Sequence, residues 1–141
     1  MIVKEKILLE LDVPTISGLT YPKELVPTIM TKIIHEDIGG IIQENPEMLN
    51  PNNIKPIFKI INPQCIVDES GEEPELLLIC DVDIDEELLT EKELELINTK
   101  PWRLSVMGKA DIDYENKIVK DFDLVYVNIE IVDESYYNNA E

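Results

Sequence analysis

The chain contains a single histidine, His35. That excludes any site needing two imidazoles, and as a general base His35 would need a nucleophile within hydrogen-bond reach. Its neighbours Ile33 and Ile34 place it on a helix near the rim of a core, where a structural or solvent-facing role is the simpler expectation. Ser105 stands in Leu104-Ser105-Val106-Met107-Gly108-Lys109, a strand-like run and not the strand-to-helix elbow of Gly-x-Ser-x-Gly hydrolases. The acidic run Asp81-x-Asp83-x-Asp85-Glu86-Glu87 has the oxygen density that hard cations want, but it fails as an EF-hand loop. Such a loop needs Gly at its sixth position and Glu at its twelfth, where this chain has Glu86 and Lys92. Alternation with Val82 and Ile84 gives a simpler account, a strand with one buried face and one solvated acidic face. Asp81, Asp83 and Asp85 on that face are also the expected docking site for a basic partner. No Gly-rich phosphate cradle, dinucleotide fingerprint or Cys-x-x-Cys occurs, and Cys65 and Cys80 lie singly in apolar stretches. Neither a cofactor, a metal site nor a disulfide framework is expected.

These residues need elements to position them. Residues 2–13 are rich in Ile, Leu and Val and stop at Pro14, which predicts a partly buried strand. After Tyr21-Pro22, the residues Leu25, Ile29, Ile33 and Ile34 recur at helical spacing, with Pro27 tolerable only in the first turn. Residues 39–56 carry Gly39-Gly40, Asn45-Pro46, Asn50-Pro51 and Lys55-Pro56, and predict a long loop. Two short β-branched runs, 57–61 and 65–67, follow on either side of Asn62-Pro63, and then a strand over 76–85. Thr90-Glu91-Lys92-Glu93 is a capping box, with Leu89 and Leu94 spaced as a hydrophobic staple, and predicts a helix over 91–98. Runs 102–112 and 117–133 predict a long hairpin. Some six strands and two helices without βαβ alternation predict an α+β fold, a mostly antiparallel curled sheet or small barrel. Residues 1–135 are expected to form one domain, and 136–141 a flexible C-terminal tail.

Charge narrows the function classes. Twelve Lys and Arg against 30 Asp and Glu give a formal charge of −18, which repels phosphate backbones and anionic lipid alike. Direct nucleic-acid binding is therefore not expected, whereas basic partners are attracted. No run of 18 apolar residues and no signal-peptide pattern is present. A reduced, cytoplasmic setting without membrane contact is the expectation.

Read in order, the segments resemble the prohead (capsid maturation) serine proteases of tailed bacteriophages. Ser17-Gly18-Leu19-Thr20-Tyr21-Pro22-Lys23-Glu24 stands where that family has a Gly-Arg-x-Tyr-Pro-like turn into a helix. Asn45-Pro46-Glu47 stands where it has His-Pro-Glu, and Ser105-Val106-Met107-Gly108 where it has its catalytic Ser-x-x-Gly strand. Val119-Lys120-Asp121-Phe122 and Ile131-Val132-Asp133-Glu134-Ser135 follow the pattern of its last strand. The likeness spans most of residues 7–135, although Gly39-Gly40 to Asn45 departs from the family's Gly-x-x-x-His spacing. It implies Ser105 as a vestigial nucleophile and Asn45 in place of the family histidine. A carboxamide cannot take the serine proton, so only His35, from the preceding helix, remains as a base.

The resulting expectation is a phage protease-like domain that has lost catalysis and acts as a virion or head-assembly component. Its partners would be other phage structural or scaffold proteins, or further copies of itself, in the virion or the host cytoplasm. One alternative is an acidic mimic of nucleic acid that inhibits a host DNA- or RNA-binding protein through Asp81, Asp83 and Asp85. The other is an active maturation protease using Ser105 and His35.

Overall fold

The computed structural model describes residues 1–43 and 56–132. Six strands form one sheet: β1 (Ile2–Leu11), β2 (Gly39–Gln43), β3 (Phe58–Asp68), β4 (Glu75–Ile84), β5 (Trp102–Asp113) and β6 (Ile118–Ile131). Their order is β1-β4-β3-β2-β6-β5, and every neighbouring pair is antiparallel except β2 with β6. The sheet curls into a half-barrel, so the fold is α+β with a mostly antiparallel sheet, as composition and element order predict. Two helices complete it, α1 (Val26–His35) and α2 (Glu91–Thr99).

The number of strands agrees with the sequence, but their identities do not. The predicted loop over residues 39–56 begins as strand β2 instead. Its glycines are there because the neighbouring backbones leave no room for a side chain. A Cβ on Gly40 would fall on the Val127 carbonyl and against the Phe58 ring, and one on Gly39 on the Phe58 carbonyl. The runs 57–61 and 65–67 are one strand, β3, which crosses Asn62-Pro63 through a bulge between Ile61 and Gln64. Proline is admitted there because the pairing with β2 involves only Phe58 and Lys59, and the bulge interrupts the ladder to β4 at that point.

Helix α1 follows a single 3-10 turn, Lys23–Leu25, and Pro27 sits in its first turn, where no intrahelical donor is lost. It packs on β3 and β6 and buries Val26, Ile29 and Ile33, each worth roughly 2 kcal/mol of apolar burial. Ile34, predicted on the same apolar stripe, is 63% exposed, because one position after Ile33 the helix has turned its side chain away from the sheet. In α2 the capping box is complete: Thr90 Oγ1 accepts from the Glu93 amide at 3.1 Å, and Glu93 Oε1 accepts from the Thr90 amide at 3.0 Å. The segment between β1 and α1 folds back on the sheet. Thr20 donates its amide to the Lys117 carbonyl and accepts from the Val119 amide, both at 2.9 Å. The Tyr21 ring meets Phe122 edge to face at 5.6 Å.

Two measurements test this account. Gly40→Ala should lose about 3 kcal/mol or more of unfolding free energy in urea, because the clash is with backbone that cannot move aside. Thr90→Ala should cost about 1 kcal/mol, since it removes one cap bond and leaves the core intact.

Candidate functional site

The β4 acidic face forms as alternation requires, with Val82 and Ile84 fully buried and Asp81 and Asp83 half-buried on the opposite side. The three aspartates nevertheless do different things. Asp81 Oδ1 accepts from the Glu5 amide and its Oδ2 from Asn62 Nδ2, both at 3.0 Å. Glu5 and Asn62 each have positive φ, 59° and 52°, and each sits in a bulge of a strand flanking β4. Asp81 therefore clamps the bulges of β1 and β3 from between them. The Asn62 amide first, the Glu5 backbone amide next and the nearby Lys4 charge last hold its carboxyl below the usual carboxylate range. Asp85 caps a single 3-10 turn, Glu86–Leu88, by accepting from the Glu87 amide at 3.1 Å.

Asp83 and Asp85 open instead onto a groove of about 780 Å³, together with Asp37, Glu86 and Glu87. Ile57 and Leu88 give the groove apolar patches, and Leu88 is 55% exposed. Among the described residues the cations on its walls are Lys59 and the Met1 amine, and that amine already donates to the Ile84 carbonyl at 3.0 Å and lies 3.9 Å from Glu86. Among the described residues, no group of three or more His, Cys, Asp or Glu side chains is arranged to hold a metal ion. Glu86 and Glu87 are visible in the sequence as part of the acidic run. Asp37 and Lys59 are not: the β3–β4 register sets Lys59 opposite Asp83, and the pairing of β2 with β3 brings Asp37 to the same end.

Ser105 lies elsewhere, along the seam where the two ends of the curled sheet approach each other. There Lys6 on β1 reaches across to β5, donating to the Trp102 carbonyl at 3.0 Å with its ammonium 3.9 Å from the centre of the Trp102 ring. Burial pushes the Lys6 amine below its ordinary value. Beyond this contact a groove of about 640 Å³ runs between Ile7, Leu8, Leu9 and Glu10 of β1 and Arg103, Leu104, Ser105 and Val106 of β5. Arg103 pairs with Glu130 at 3.0 Å on its wall. The edge strand β1 carries two bulges, between Val3 and Lys6 and between Ile7 and Leu9, whereas at the other edge the extra residues of the β5–β6 register, Val125 and Lys120, lie on β6. Bulges like those on β1 break the regular ladder that a further strand would need.

Ser105 is half-buried and sits opposite the fully buried Asn128 in the β5–β6 register. His35 is exposed at the end of α1 and is not among the residues lining the seam groove. Among the described residues no hydrogen bond joins the two. Asn45 lies outside the described residues. Gly108, the last residue of the Ser-x-x-Gly run, has a packing reason of its own, since a Cβ there would meet the Asp123 carbonyl across the bulge. The two cysteines are both free: Cys65 is exposed on β3, and Cys80 is buried on β4, where burial first and the Asp81 charge second push its thiol up to about 12. No protein-family model, curated protein or solved structure matches the chain. The prohead-protease resemblance therefore stands on its short motifs alone.

Two outcomes follow from this geometry. Asp81→Asn should lower the melting temperature at pH 7, whereas Asp83→Asn should leave it nearly unchanged. A depressed carboxyl contributes stability above the unfolded value near 3.8 and loses it as the pH falls through the folded value, so the Asp81→Asn deficit should shrink in acid. Thiol titration with a disulfide reagent should find one fast-reacting group in the native protein, Cys65, and the second only on unfolding.

Proposed function

We propose that this chain is a protein-binding domain with no catalytic step of its own, and that the groove of Asp37, Asp83, Asp85, Glu86 and Glu87 receives a basic segment of its partner. One observation carries the reading: Asp37 joins the four carboxylates of residues 83–87 on one groove with apolar patches, where the described residues supply two cations, Lys59 and the Met1 amine. Charges at a rim steer encounter and reject acidic competitors, while the apolar patches supply area that holds once the partner has arrived. The overall charge of −18 acts in the same direction at longer range. The resemblance to prohead proteases gives the finer version, a head-assembly or virion component whose partners are phage structural or scaffold proteins. A nucleic-acid mimic draws on the same carboxylates, but with Asp81 engaged by Glu5 and Asn62 it would rely on Asp83 and Asp85 of the three. An active protease would need a base for Ser105, and among the described residues no hydrogen bond offers one.

Capture of the tagged chain from its native cells, at low and at moderate salt, tests the proposal. The expected result is a basic structural or scaffold protein retained at both salts and weakened roughly tenfold by Asp83→Asn with Glu87→Gln. A nucleic-acid-binding protein released at moderate salt would point to the mimic. Binding indifferent to the double substitution would overturn the groove, and stoichiometric labelling of Ser105 by a serine-directed reagent would overturn the absence of catalysis.

A further inference from the structure

We draw no further inference here: the strongest candidate, the groove along the seam between the edge strands β1 and β5, has nothing in the structure to show what covers it.

Discussion

At Gly40 the backbone of β2 serves two neighbours at once. It pairs with Phe58 of β3 on one side and Val127 of β6 on the other, and from Ile41 onward only the parallel pairing with β6 continues. This residue joins the three strands β1, β4 and β3 to the β5–β6 hairpin. Without it the sheet would be two smaller pieces, each with a fresh unpaired edge and an apolar face too small to bury. The approach is so close that only a hydrogen fits in place of a side chain. The joint thus trades the backbone entropy of glycine for continuity of the core, which includes Phe58, Val127 and Ile129 from both sides of it.

The division of labour among the β4 carboxylates has a similar logic. A bulged residue at positive φ leaves its strand's ladder locally broken, and in β1 the Glu5 amide would otherwise lack an acceptor. Asp81 supplies that acceptor and also takes the Asn62 side chain, so an acidic residue on the outer face holds the register of both adjoining strands. Asp85 likewise commits one carboxylate oxygen to the turn that follows the strand. Much of the negative charge on this face is therefore structural. The carboxylates that line the groove gather around Asp83 and the adjoining glutamates at the end of β4.

How far this was legible in the sequence depended on whether the determinants were local. The capping box at Thr90 and Glu93 and the alternation of Val82 and Ile84 between aspartates are complete within a few residues, and both elements form where expected. The Gly39-Gly40 pair carried the opposite message. Two consecutive glycines signal a turn when only neighbours in sequence are considered, and their reasons here are a carbonyl on β3 for Gly39 and one on β6, far along the chain, for Gly40. Asn62-Pro63 misled in the same way, since a proline that ends most strands is harmless at a bulge with no partner to satisfy. The acidic run announced itself, but its division into clamp, cap and open carboxylate required the flanking strands. Asp37 joined the groove through pairing that no local pattern encodes. That Ser105 lines the seam groove and His35 does not was equally outside what spacing can reveal.

The placement of β2 also governs the order in which the molecule can assemble. Its longest pairing is with the last strand of the sheet, while β1 waits for β4, so both early strands depend on segments synthesised much later. Contacts so remote in sequence form slowly, because the entropy of closing large loops precedes any gain. On the ribosome β2 has no parallel neighbour until β6 has emerged. Over that interval a net charge of −18 makes chains repel one another, which disfavours contact between their unpaired apolar strands.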